Sequence, residues 1–135
     1  MDTIRLINRA LAHAARAHKD QVDKRGRPYL QHVTEVANAV THEGDHAIIV
    51  ALLHDVLEDT THTDLSIYPQ EVQDAIRTIT RQEGEAYEAY IERVAQNPLA
   101  RLVKLADLRL NHATAPEQRL KDRYARAIAR LERNA

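Results

Sequence analysis

The chain has 135 residues, a length that fits one domain with a substantial core. Its 19 basic and 20 acidic residues give a net charge of −1, which offers no global attraction for nucleic acid. Cysteine is absent, so disulfides and thiolate metal sites are excluded, and five tyrosines without Phe or Trp provide no stacking platform for RNA. No apolar run approaches the ~20 residues of a membrane span. We therefore expect one cytoplasmic domain over residues 1–135, with no membrane partner.

Helical periodicity dominates the sequence and predicts an all-α bundle of about six or seven helices. The first helix is expected over roughly residues 3–18, and Pro28 suits the first turn of the second. Residues 47–57 (AIIVALLHDVL) are apolar nearly all round, which predicts a central buried helix. The remaining helices are expected to begin at Pro69, near Tyr87, at Pro98 behind an Asn97 cap, and after Pro116.

The dipeptide His54-Asp55 lies inside this most apolar segment. Burying an imidazole beside a carboxylate costs free energy unless both groups have partners. A lone buried histidine is more often a core residue than a ligand, but the adjacent aspartate favours a metal site. On one continuous helix, Glu58 and Asp59 would follow at i+4 from this pair. Alternatively these two acids form a solvated helix end, which the helix dipole disfavours.

His32 and Asp107 interrupt the apolar faces of two other predicted helices. Each has a simpler interpretation: His32 as a surface residue, and Asp107 as the partner of a neighbouring Lys or Arg. Together with His54 and Asp55 they supply two imidazoles and two carboxylates, a set that suits Mn, Fe, Zn or Mg and not a soft ion. Their spacing in the sequence does not join them into one site.

A short basic cluster of Lys24, Arg25 and Arg27 precedes the second predicted helix. It could capture phosphate next to a metal, or be an ordinary solvated loop, which composition alone favours. Asn111 lies one turn after Asp107, where it could cap the helix or contact a substrate. The other histidines form no metal-binding pattern, and most are expected at the surface, with His18 and His62 left open.

The arrangement His…His-Asp…Asp resembles the HD-domain superfamily of helical metal-dependent phosphohydrolases. The segments AHKDQVDKRGRPYLQHVTEVA, ALLHDVLEDT and VKLADLRLNH are similar to the hydrolase domain of the RelA/SpoT family, which removes the 3′-pyrophosphate from (p)ppGpp. The similarity runs from about His18 to Asn111. It implies a single HD-type domain with one Mn²⁺ per chain, held by His32, His54, Asp55 and Asp107.

The resemblance also implies roles for other residues. Glu58 and Asp59 would position and activate the attacking water. Contacts with nucleotide and phosphates would come from Lys24, Arg25, Asn111 and Thr114.

Two positions depart from the family pattern. Asp23 replaces the arginine that stacks on guanine, and His112-Ala113 follows Asn111 where the family has Met-Arg. The first hypothesis is therefore hydrolysis of the 3′-pyrophosphate of (p)ppGpp or a related nucleotide. The alternatives are an HD-domain phosphatase that acts on another nucleotide or phosphoester, and a non-catalytic nucleotide-binding module.

Overall fold

A computed structural model describes residues 2–133, with the side chain of Asp59 outside the described set. Over this range the regular structure is helical, apart from an isolated bridge between Val22 and Pro28. The helices are α1 (Thr3–Ala17), α2 (Tyr29–Ala39), α3 (Asp45–Leu53), α4 (Val56–Asp59), α5 (Gln70–Ile79), α6 (Tyr87–Ala95), α7 (Pro98–Thr114) and α8 (Gln118–Glu132), with a 3-10 turn at Thr41–Glu43. Seven helices longer than one turn, plus the single turn α4, confirm the all-α fold. None of the described helices combines the length and apolarity needed to cross a membrane.

Several helices begin close to the residues that the sequence predicts, because capping residues and prolines define their N-termini. The side chain of Asn97 accepts a hydrogen bond from the Ala100 N–H at 2.9 Å, and Pro98 occupies the first turn of α7. Pro28 and Pro69 stand directly before α2 and α5, where their fixed φ and missing N–H cost nothing. These ends orient the helices that carry the site.

Helix α3 is the centre of the bundle and packs against α1, α2, α5 and α7. All of its apolar residues except the partly buried Ile48 are buried: Ala47, Ile49, Val50, Ala51, Leu52 and Leu53. Each larger side chain contributes about 1.5–3 kcal/mol by leaving water. His54, which is itself buried, therefore follows a firmly held helix end.

The central helix ends earlier than the sequence predicts. His54 and Asp55 lie in a turn between α3 and α4, so the predictions of one helix over residues 47–57 and of i, i+4 pairs with Glu58 and Asp59 are wrong. The His54 ring nitrogen Nδ1 lies 2.6 Å from the Ala51 carbonyl oxygen, which can only accept. In a continuous helix that carbonyl would bond the N–H of Asp55. The side chain of His54 thus competes with the helix, which ends at Leu53 and leaves His54 and Asp55 in the turn that follows.

Two histidines outside the predicted site are buried. The expectation of a surface position is wrong for His13, which is 7% exposed, and His18, which was left open, is 3% exposed. The His13 Nε2–H donates to the His62 carbonyl at 2.7 Å, so Nδ1 can accept from the Tyr68 hydroxyl at 3.0 Å. These two bonds offset the cost of burying the imidazole.

Candidate metal centre and substrate cavity

Two histidines and one aspartate converge where α2, α7 and the end of α3 meet. One ligand atom from each of His32, His54 and Asp107 lies within 4.8 Å of the others. The Nε2 atoms of His32 and His54 are 2.9 and 3.5 Å from the same Oδ1 of Asp107. All three residues are buried, at 8%, 2% and 4% exposure. The fold therefore brings together three of the four ligands that the resemblance implies.

The fourth implied ligand, Asp55, lies beside this group. Its Oδ2 is 3.1 Å from His54 Nε2 and accepts a hydrogen bond from the Tyr29 hydroxyl. Its side chain is more exposed than that of Asp107, at 16% against 6%. Asp55 thus lies at the edge of the buried cluster and lines the adjoining cavity.

The donor chemistry fits a divalent ion. His54 donates from Nδ1 to the Ala51 carbonyl, which directs Nε2 towards Asp107 and fixes the ring orientation. Metal-binding histidines are held by such a bond from the other ring nitrogen. Imidazole nitrogens combined with carboxylate oxygens suit borderline or hard divalent ions.

Strong electrostatic coupling keeps the carboxylates ionised. Burial opposes ionisation of Asp107, but Lys104, whose Nζ lies 3.1 Å from Oδ2, holds its pKa well below the usual range. Burial likewise opposes the charge on Asp55, yet His54 lowers the pKa of that carboxyl to about 2. Burial also opposes the charge on His54, but Asp55 and Asp107 together raise the imidazole pKa well above its ordinary value. An ion that binds here displaces the imidazole proton, so binding is linked to proton release.

A cavity of about 420 Å³ adjoins the cluster, which is within the usual range for small-molecule sites. His32, Asp55 and Asp107 form part of its wall. The same wall includes every residue for which the resemblance implies a substrate contact, namely Lys24, Arg25, Asn111 and Thr114. The amide of Asn111 donates to Asp107 Oδ1 at 3.3 Å.

Asp23 organises the basic loop at the mouth of this cavity. Its Oδ1 accepts from the backbone N–H groups of Arg25 and Arg27 at 2.9 and 3.0 Å, and its Oδ2 accepts from Arg27 Nε at 2.9 Å. Arg27 also donates to Glu35 at 3.0 Å, so two carboxylates hold it. Among the described residues, Lys24 and Arg25 are the cations of this loop that have no acidic partner within 4 Å.

Of the two acids expected to activate water, Glu58 lies outside the wall of this cavity. The Glu58 Oε1 accepts from the Arg81 N–H at 2.8 Å, and Glu58 lines a separate surface pocket beside the loop after α5. The side chain of Asp59 lies outside the described residues. Their catalytic roles stay predictions.

Sequence reasoning missed Tyr29, and it anticipated Lys104 only as a neighbouring base that pairs with Asp107. Tyr29 contacts Asp55, and Lys104 pairs with Asp107. Tyr29 and Lys104 each precede a proposed ligand by three residues on one helix, and this spacing on a shared face was the available signal. The simpler interpretation of Asp107, an ion pair with a neighbouring base, also holds.

Residues 10–85 match the HD domain family. The chain belongs to this family. The matched region contains His32, His54 and Asp55, whereas Asp107 lies beyond it. HD domains bind divalent metal ions, which agrees with the His/Asp cluster.

Two curated relatives cover most of the chain. The guanosine-3′,5′-bis(diphosphate) 3′-pyrophosphohydrolase of Aquifex aeolicus is 35% identical in an alignment 114 residues long, which covers 75% of this chain and 16% of that protein. The GTP pyrophosphokinase of Myxococcus xanthus is 30% identical in an alignment 128 residues long, which covers 81% of this chain and 17% of that protein. The chain thus spans less than a fifth of the length of these relatives.

A solved structure extends the similarity to the fold. It belongs to a metazoan ortholog of SpoT, described as hydrolysing ppGpp, and superimposes with a TM-score of 0.75 at 25% identity. The match covers 93% of this chain and 84% of that chain. The helical bundle around the cluster is therefore shared with a protein of similar size.

Proposed function

We propose that this chain is a metal-dependent phosphohydrolase that removes the 3′-pyrophosphate of (p)ppGpp or a closely related nucleotide. The observation that carries the proposal is the meeting of the His32, His54 and Asp107 ligand atoms beside a cavity lined by Lys24 and Arg25. The names of the Aquifex relative and of the metazoan ortholog support the choice of substrate.

In this proposal one divalent ion per chain is held by His32, His54, Asp55 and Asp107, with Mn²⁺ as the first choice. When bound, such an ion supplies Lewis acidity towards phosphate and water. The ligand types also accept Fe, Zn or Mg, so the choice of Mn²⁺ rests on the resemblance.

The remaining roles fall to residues of the cavity and of α4. Lys24 and Arg25 bind the phosphates, because they are cations at the cavity wall without an acidic partner among the side chains that the structure describes. Lys104 balances the charge of Asp107 through their 3.1 Å contact. Asn111 and Thr114 contact the nucleotide in this assignment. Glu58 and Asp59, which follow Asp55 through the single turn of α4, orient the attacking water and accept its proton.

The proposal treats residues 1–135 as one catalytic domain. With (p)ppGpp as its substrate, the enzyme would act in the cytoplasm and take part in the stringent response. Neither a membrane nor a nucleic acid is required as a partner.

The presence of Asp23 in the basic loop supports a second candidate substrate. It stands where the family has an arginine that stacks on guanine, and its carboxylate is engaged by Arg27 and by the loop backbone. A carboxylate held in this way cannot provide a cationic stacking surface. The second candidate is therefore the same metal chemistry acting on another nucleotide or phosphoester.

A substrate panel separates these candidates. The purified chain with Mn²⁺ is offered ppGpp and nucleoside monophosphates at equal concentrations, and products are resolved by anion-exchange chromatography. Release of GDP and pyrophosphate at the highest kcat/KM supports the first candidate. Preference for a monophosphate overturns it in favour of the second. Nucleotide binding without turnover in metal-replete protein indicates a non-catalytic module.

A further inference from the structure

Tyr29 contacts two of the proposed metal ligands at once. Its hydroxyl donates to Oδ2 of Asp55, and the centroid of its ring lies 5.3 Å from that of His32, tilted by 50°. Tyr29 is the first residue of α2, one turn before His32, so one helix end places both side chains. It also lines the cavity.

Tyr29 is itself held on its other side. Its backbone N–H donates to the Gln21 carbonyl at 2.8 Å, next to the bridge between Val22 and Pro28. The ring of His18, which is buried at 3% exposure, lies 4.8 Å from the tyrosine ring. His18 in turn bonds the side chain of Gln21 at 2.6 Å. Contacts from two directions therefore restrict the tyrosine to one orientation.

Asp55 is the ligand that most needs such support. It lies in the turn between α3 and α4, outside the group of ligand atoms within 4.8 Å, whereas Asp107 comes from the long helix α7. A carboxylate in a turn can rotate, and each rotation moves its oxygens relative to the cluster. The hydroxyl of Tyr29 fixes one oxygen, Oδ2, which also faces His54 Nε2 at 3.1 Å.

We propose that Tyr29 is a positioning residue of the metal centre: its hydroxyl orients Asp55, its ring braces His32, and both contacts set the affinity for the ion. The inference rests on the metal site of the proposed function and not on the identity of the substrate. Partners of this kind in other metal sites change metal affinity or activity by roughly 10–100-fold when they are removed.

The test is Mn²⁺ binding to the full chain and its Tyr29→Phe variant, followed through the electron paramagnetic resonance signal of free Mn²⁺. The variant keeps the ring and loses only the hydroxyl, so we expect a Kd about 10–100-fold higher with unchanged helical circular dichroism. A second variant, Tyr29→Leu, also removes the ring and should bind no more tightly than Tyr29→Phe.

Tyr68→Phe is the matched control. It removes a hydroxyl that bonds the buried His13 at 3.0 Å, at a position outside the cavity wall. This variant should lose thermal stability while its Mn²⁺ affinity stays at the wild-type value. If both tyrosine hydroxyls had only a structural role, the two variants would lose thermal stability and Mn²⁺ affinity to the same extent.

An unchanged Kd in Tyr29→Phe overturns the inference, as does an equal loss of affinity in Tyr68→Phe. Wild-type affinity in Tyr29→Leu contradicts it as well. A wild-type protein that binds Mn²⁺ but leaves ppGpp intact overturns the proposed substrate and not the role of Tyr29. A wild-type protein that binds no Mn²⁺ overturns both.

Discussion

The Nε2 atom of His32 lies 2.9 Å from Oδ1 of Asp107, although 75 residues separate them in the chain. This contact joins α2 to α7, and α3 packs against both helices and delivers His54 to the same oxygen. Two of the three most buried ligands therefore lie on regular helices, and the third, His54, directly follows the last residue of α3. A site built in this way holds its geometry before any ligand arrives.

Loss of the Lys104 ammonium is expected to destabilise the protein in the absence of metal. Lys104→Met leaves the buried Asp107 without its nearest cation, and removing one partner of a buried ion pair costs about 3–5 kcal/mol. Urea unfolding measures this loss. The control Lys19→Met replaces an exposed lysine and should stay within about 0.5 kcal/mol of wild type. Equal stabilities for the two variants would contradict the role of this pair.

Stabilisation by Mn²⁺ is expected to depend on His54. At an ion concentration 100 times the Kd, binding to the folded state adds about 2.7 kcal/mol to the free energy of unfolding. His54→Ala removes a buried nitrogen of the cluster and should reduce this gain to nearly zero. Unfolding curves with and without Mn²⁺ measure the gain in unfolding free energy. The control is His42→Ala, which replaces an exposed histidine. A full gain in His54→Ala would show that the ion binds elsewhere.

Asp23 is expected to affect substrate binding more than turnover. Asp23→Ala removes three hydrogen bonds that order the loop of Lys24 and Arg25. A binding loss of about 1.4 kcal/mol raises the KM for ppGpp roughly tenfold, while kcat and Mn²⁺ affinity change little. Steady-state kinetics measure both constants. Asp64→Ala, which removes a turn bond to the Ser66 N–H outside the cavity wall, should leave KM unchanged. A lower kcat at constant KM for Asp23→Ala would contradict this role.

The pair of Glu85 and Arg93 predicts a pH dependence of stability. Two hydrogen bonds from Arg93, at 2.9 and 3.0 Å, and one from the Gln82 N–H lower the pKa of Glu85 from 4.5 to about 2. Because the folded-state pKa is the lower one, the pair stabilises the fold fully above about pH 4.5 and loses this effect towards pH 2.

The corresponding variant is Glu85→Gln, compared with wild type by urea unfolding at several pH values. It should be less stable at pH 7, and the difference should shrink steadily below pH 4.5. A difference that is constant between pH 7 and pH 3 would mean that the carboxylate charge contributes nothing.

Most helices could be predicted from the sequence because their signals are local. The stripe of the first helix predicts residues 3–18, and α1 covers Thr3–Ala17. The break after Leu53 could not be predicted in this way. It depends on the side chain of His54 reaching the Ala51 carbonyl, and the apolar pattern of the segment contains no sign of that bond.

For the candidate site too, the sequence predicts some features and not others. The residue types of His32, His54 and Asp107 indicated metal chemistry, but only the family resemblance joined them, since tertiary packing determines which distant helices meet. The supporting roles of Tyr29 and Lys104 could in principle be predicted from the sequence, because each residue lies three positions before a proposed ligand on the same helix. The hydrogen bond from the Arg81 N–H to Glu58 could not be predicted from the sequence, because it joins α4 to the loop after α5.

A quantitative product assay tests most directly whether the His32, His54 and Asp107 cluster supports metal-dependent hydrolysis of ppGpp. Wild-type protein with Mn²⁺ should release pyrophosphate and GDP in equal amounts, and both a chelator and the variant His32→Ala should abolish the release. Undiminished release by His32→Ala, or no release by Mn²⁺-loaded wild type, would contradict the claim.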